Sequence, residues 1–315
     1  MMIKLINTNT LQSFFLKLFV FVLVVFVLDR LAGAMLKNFY FKQQAGDDYL
    51  TTYAIDKTTA DLLIFGSSRA ANNFNPGIFE TQIGVSCFNA GRYGAPVFYH
   101  YAVLQCVLKR YKPKTILLSF DAGSFNKNQE SYDRMAPLLP YYNDHPEIRN
   151  IVDLKSPFEK LKLLSSTYPY NSLLLPIISG NTAYGKGKPT YLNGYIPIVD
   201  TFTGEMETID YTKKIALDSK KIAVYKAFIQ DCKKVKIPLY IVCPPYLINS
   251  IGTDASIIEA KKIAAESNTD FFDYSRDQYF TSNPQLFADF RHLNESGVEV
   301  FCNSLIKKLF LPPVK

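Results

Sequence analysis

Three short segments of this 315-residue chain carry residue types able to do nucleophilic chemistry together. The first, Leu62-Leu63-Ile64-Phe65-Gly66-Ser67-Ser68-Arg69-Ala70, is an apolar run ending in glycine and two hydroxyls. Such a turn folds the backbone back sharply and presents a serine oxygen at the carboxyl edge of a sheet. The second, Asn89-Ala90-Gly91-Arg92-Tyr93-Gly94, follows another apolar run, and Gly91 offers an unobstructed N–H. The third is Asp289-Phe290-Arg291-His292. Asp289, three residues earlier, is spaced to orient the His292 imidazole while the other ring nitrogen faces a nucleophile. Plainer readings exist for each: Gly-Ser and glycine turns are common, and Asn294 marks a helix start. Of the other two histidines, His145 precedes Pro146 and reads as a solvent-exposed loop residue, and His100 as a helix-surface or core histidine.

These segments need a scaffold, and the apolar patterning supplies one. Strands are predicted at Leu62–Phe65, Val85–Phe88, Thr115–Phe120, Pro238–Val242 and Asp270–Asp273. Helices are predicted at Pro76–Ile83, Pro96–Tyr111, Ala216–Lys234, Ala255–Ser267 and Ser296–Phe310. Strands alternating with helices imply parallel βαβ units, and short apolar strands suit a sheet covered on both faces. Residues 41–60 read as a linker. From about 122 to 212 the rhythm breaks into a stretch rich in Tyr, Pro, Asn and Gly, far longer than a crossover needs. It reads as an inserted lid or cap, with a helical stretch at Phe158–Leu164 and a hairpin around Tyr191–Val199.

Leu11–Leu28 is apolar apart from Gln12, Ser13 and Lys17, and as a helix it reaches about 27 Å, enough to span a bilayer core. An uncleaved single-pass anchor is the expectation, with residues 1–44 as anchor and stem and 45–315 as the folded domain; Ala32-Gly33-Ala34 would suit cleavage of a secretory signal instead. The charge bias is slight: Lys4 and Lys17 on one side, Arg30, Lys37 and Lys42 on the other, which mildly favours an internal domain. The net charge of +7 is concentrated between Asp210 and Lys236, where eight lysines face three aspartates at helical spacing, the pattern of a solvated helix face rather than a nucleic-acid site. The five cysteines form no CxxC or Cys/His cluster, so buried free thiols are expected and metal binding is not.

Taken together, the three segments resemble the SGNH (GDSL-like) hydrolase superfamily, in its membrane-attached version with GSS at the nucleophile. The resemblance implies a three-layer α/β/α fold with a five-stranded parallel sheet in the order 2-1-3-4-5. It implies Ser68 as nucleophile, His292 as base, Asp289 as its partner, and the N–H groups of Ser68 and Gly91 as oxyanion donors. In one respect the chain departs from the family: Asp121 stands where an oxyanion-binding Asn is usual. Asn126 could supply the missing amide, or Arg69 or Arg92 could neutralise Asp121, leaving these three as substrate-binding candidates, or the site is weak or inactive.

The activity so implied is an esterase that removes acyl groups such as acetyl from an envelope glycan, needing no metal or dissociable cofactor, with its domain outside the cytoplasm. An O-acetyltransferase using the same residues and a non-catalytic envelope assembly protein are the alternatives. The insertion's tyrosines suit either stacking on sugar rings or packing.

Overall fold

The computed structural model of the chain describes residues 8–182 and 193–310. Five strands, β1 (Leu62–Phe65), β2 (Cys87–Asn89), β3 (Thr115–Ser119), β4 (Leu239–Cys243) and β5 (Asp270–Asp273), form an all-parallel sheet in the order 2-1-3-4-5. In register, Leu63 lies between Phe88 on β2 and Ile116 on β3, and Ile241 of β4 pairs with Phe271. Side chains alternate across the sheet, which divides the core in two. Leu63, Phe65, Ile116, Leu118 and Ile241 face helices α4 (Val97–Arg110), α6 (Ser219–Lys234) and α7 (Ala255–Glu266). Leu62, Ile64, Leu117 and Val242 face α2 (Ser68–Asn73), α3 (Pro76–Ile83) and α8 (Glu295–Leu309). The expected three-layer α/β/α architecture is the observed one. All five cysteines are buried free thiols.

Helix α1 (Thr8–Phe41) is long and apolar enough to cross a membrane, and its Leu11–Leu28 stretch is exposed along its whole length. The same helix runs on past Leu28 and docks on the domain. The Asp29 carboxylate accepts bonds from Ser165, Ser166 and Thr167, and Tyr40 is 1% exposed, its ring against Tyr141 and Tyr170.

The expected linker at 41–60 is instead helical, Asp47–Thr52 running into a π-turn at Tyr53–Lys57. Ile55 is fully buried, and Arg110 of α4 donates to the carbonyls of Ala54, Ile55 and Thr58, so apolar burial and a multidentate guanidinium hold what composition alone suggested was loose. Another expectation fails at Lys221. It is not part of a solvated face but fully buried, its ammonium donating to Asn126 O (2.6 Å) and Ser131 Oγ (2.7 Å), and desolvation lowers its pKa.

The insertion is only partly a lid. Its first turns border the sheet's carboxyl edge, while Leu138, Tyr141, Ile148, Tyr170 and Ile177 join the core beside α1 and α4. These tyrosines are packing residues. Phe158–Leu164 forms a single helical turn at Glu159–Lys162, and Leu174–Asn181 forms α5. Of the expected hairpin at 191–199, residues 191–192 lie outside the described residues, and Ile196 bonds to Ala71 O instead of to a partner strand. Glu207–Asp210 pairs in parallel with Ile248–Ile251, an addition the alternation of strands and helices did not reveal.

Because Tyr40 and Phe41 pack into the domain, a soluble fragment starting at residue 45 is expected to be less stable than one starting at 29 by about 3–5 kcal/mol, the usual range for losing a buried aromatic. Urea unfolding of the two fragments measures this, and equal midpoints would refute it.

Candidate active site

Gly66 ends β1 with φ +148°, a conformation open to glycine, and a Cβ there would lie 2.6 Å from Ser119 Cβ and 2.8 Å from Ala70 Cβ. The chain can therefore turn directly from the strand into α2. Ser67 caps that helix, its Oγ accepting from Arg69 N–H (3.2 Å), and Ser68 is its first residue. Ser68 Oγ lies 2.9 Å from His292 Nε2, and His292 Nδ1 lies 2.8 Å from Asp289 Oδ2. The other Asp289 oxygen accepts the N–H groups of Arg291 (2.7 Å) and His292 (2.9 Å). Partial burial works to raise the Asp289 pKa, but bonds from the His292 ring and these N–H groups outweigh it and leave the pKa below its usual value. An ionised Asp289 thus favours the tautomer that carries its proton on Nδ1 and leaves Nε2 free to take one from Ser68.

Two residues of α2 hold the histidine loop on either side of His292. Asn73 Oδ1 accepts Leu293 N–H at 3.0 Å, and Arg69 Nε donates to Arg291 O at 3.1 Å. Arg69, only 3% exposed at the side chain, also donates from Nη2 to Pro244 O (2.5 Å) and Pro245 O (2.7 Å) and stacks 3.5 Å over the Tyr246 ring. Its Nη1 lies 3.5 Å from Asp121 Oδ1. Burial opposes the charge, but Tyr246 and Asp121 more than compensate and hold the Arg69 pKa above its usual value.

These contacts revise several expectations. Arg69 is enclosed and fully engaged, so it braces the site instead of meeting substrate. Arg92 faces away from Asp121, bonded to Asp48 (2.8 Å) and Thr51 (2.7 Å). Gly91 is indispensable for space, since a Cβ would fall 2.6 Å from Ala71 N, but its N–H is committed to Asn89 Oδ1 (2.9 Å). Asn126 lies outside the cleft, its amide against Ser256 and Gly123. The Ser68 N–H, first in α2, has no intrahelical acceptor. Asp121 accepts a short bond from Ser67 Oγ and borders the cleft. Ser67 was therefore legible as a neighbouring hydroxyl but not as the partner of Asp121.

The cleft, about 290 Å³, is lined by Ser67, Ser68, Gly94, His100, Ser119 and Asp121, with Asn128, Ser131 and Arg134 contributed by the insertion. His100 is a core histidine, its Nε2 3.2 Å from Ala95 O and its Nδ1 without a partner among the described residues. His145, expected in solvent, is instead half-buried and bridges Asp56 (3.2 Å) and Glu147 (3.0 Å). Cys106, His145 and Glu147 are the ligand-type groups that converge among the described residues. Both His145 nitrogens are already paired there, and burial pushes the Cys106 thiol pKa up, so the cluster reads as an ion-pair network.

No family model and no curated protein matches this chain. Among solved structures, an acetyl xylan esterase is similar at 14% identity and a TM-score of 0.40, over 79% of this chain and 100% of that one. An acetylxylan esterase from Geobacillus stearothermophilus, determined as a catalytic mutant, is similar at 11% identity and a TM-score of 0.39, over 82% and 97% respectively.

Burial lowers the His100 pKa from 6.5 to about 4, so the unfolded chain takes up a proton before the folded one does. The stability this neutral histidine contributes is complete above pH 6.5 and is lost as pH falls through 4, about 3 kcal/mol in all. His100→Gln, which keeps a donor for Ala95 O, is expected to lose less stability over that window. Urea unfolding at a series of pH values decides it, and identical pH dependence in the two proteins would count against the assignment.

Proposed function

We propose that the chain is a membrane-anchored serine esterase of SGNH type. The observation that carries this reading is the unbroken line from Ser68 Oγ to His292 Nε2 (2.9 Å) and from His292 Nδ1 to Asp289 (2.8 Å) at the carboxyl edge of a parallel sheet. His292 takes the Ser68 proton as Oγ attacks the ester carbonyl, and Asp289 stabilises the imidazolium that forms. The Ser68 N–H faces the developing oxyanion. His292 then returns the proton to the leaving alcohol, and water releases the acyl group from Ser68 by the reverse sequence.

The site supplies fewer oxyanion donors than the family pattern, since the Gly91 N–H is committed and Asp121 replaces an amide. One missing donor lowers kcat by about 10²–10³, so turnover is expected to be slow. Asp121, paired with Arg69 and hydrogen-bonded by Ser67, is suited to accepting a hydrogen bond from a substrate hydroxyl. That favours a polyhydroxylic alcohol portion such as a glycan, and it also suits an acyl transferase in which a sugar hydroxyl replaces water. A cleft of about 290 Å³ fits a short acyl group such as acetyl.

The membrane part of the reading rests on α1. Its exposed apolar stretch supports a spanning segment. Asp29, Gly33 and Tyr40 dock on the domain, and a cut at Ala32–Ala34 would detach Asp29 from its contacts, which favours an uncleaved anchor over a signal peptide. An envelope glycan as substrate would require the domain to lie outside the cytoplasm.

Ser68→Ala in the full-length protein is expected to abolish hydrolysis of a short-chain acetyl ester. Ser67→Ala should keep most of it, losing only about 1 kcal/mol of stability from the helix cap. Initial rates in detergent solution check both, and equal rates for Ser68→Ala and the unaltered protein would refute the esterase reading.

A further inference from the structure

Among the described residues outside α1, most exposed large apolar side chains occur singly, as is usual. The insertion differs. Phe158, Leu161 and Leu164 project from one helical turn, and Leu174, Leu175 and Ile178 from α5, each between 50% and 78% exposed. Around the helical turn the ordinary polarity is inverted: Glu159 is fully buried, bonded to Tyr168 OH (2.6 Å), while the apolar residues beside it face outward. Such an arrangement is unfavourable in water and favourable against an apolar medium.

The position of the patch identifies that medium. Arg30, two residues past the end of the Leu11–Leu28 stretch, donates to the Leu164 carbonyl, and the adjacent Asp29 accepts from Ser165 Oγ (2.6 Å) and Ser166 N–H (2.7 Å). Helix α5 lies against α1 as well, its Asn181 bonded to Phe39 O (2.8 Å). Beside the apolar residues stand Lys160 and Lys162, each 3.4 Å from a carboxylate, Asp153 and Glu159 respectively, yet with side chains 76% and 40% exposed. Apolar side chains flanked by lysines are the pattern of a segment lying in a lipid interface. We propose that Phe158–Leu164, together with the outer face of α5, sits in the headgroup–acyl boundary of the bilayer that α1 crosses, with the lysines meeting anionic headgroups. This rests on the reading of α1 as a membrane span. The domain is then held to the membrane at two places, and it cannot swing freely about α1.

The chain contains no tryptophan, so single tryptophans report without background. Leu161→Trp, Val24→Trp and Ile258→Trp in the full-length protein would be placed in phosphatidylcholine–phosphatidylglycerol vesicles containing lipids with brominated acyl chains. The proposal expects Val24→Trp and Leu161→Trp to lose emission, and Ile258→Trp, on the outer side of α7, to keep it. Quenching of Val24→Trp without quenching of Leu161→Trp overturns the interfacial contact while leaving the span intact. A blue-shifted but unquenched Leu161→Trp means a protein surface covers the patch, and that also overturns it. An unquenched Val24→Trp removes the span and the proposal with it.

Discussion

A cation withdrawn from water must have its donors satisfied, and Arg69 meets that demand by joining three parts of the molecule. Its guanidinium reaches the loop after β4 through Pro244, Pro245 and the ring of Tyr246, the histidine loop through Arg291, and the end of β3 through Asp121. Because Arg69 is adjacent to Ser68, every one of these bonds also sets where the Ser68 hydroxyl stands relative to His292. Leaving a donor of such a buried cation without its acceptor typically costs about 1–3 kcal/mol, a large part of the net stability of a domain. Asp121 becomes intelligible on this basis. A carboxylate at that position would repel an oxyanion, but here it is an arginine's counter-ion and a serine's acceptor.

The same reasoning explains what was legible in the sequence. The five strands of the sheet followed from apolar runs and turn residues, because those signals are local, whereas their order came only from the resemblance to a known superfamily. Ser68, Asp289 and His292 were legible as a group only through the resemblance, because a Gly-Ser turn and a carboxylate three residues from a histidine are each common alone. The role of Arg69 was not legible, since four of its partners lie between 52 and 222 residues away in the chain. Nor was the loss of the Gly91 N–H, which depends on Asn89 rotating its amide oxygen back onto its own turn while its nitrogen bonds Ala70 O and Phe74 O. Lys221 misled for a related reason: helical spacing marks a face, but only the neighbouring insertion decides whether that face meets water.

Helix α1, the insertion and the site form one mechanical path. Tyr40 at the end of α1 packs on Tyr141 of the insertion, the insertion's first turns are pinned by Lys221, and those turns line the cleft beside Asp121. The insertion thus serves two faces, one toward α1, where Tyr141 and Tyr170 are buried, and one toward the cleft. The cleft offers mixed surfaces: hydroxyls, the carboxylates of Asp121 and Glu130, the guanidinium of Arg134, apolar side chains such as Val97 and Phe120, and a histidine kept neutral by burial.

The central claim is that this network makes Ser68 a nucleophile through His292. Labelling of the full-length protein with a fluorophosphonate, followed by peptide mass spectrometry, tests it most directly. The account predicts a single adduct on Ser68 that disappears in His292→Gln. An adduct on Ser67, or labelling of Ser68 unaffected by loss of His292, would contradict it.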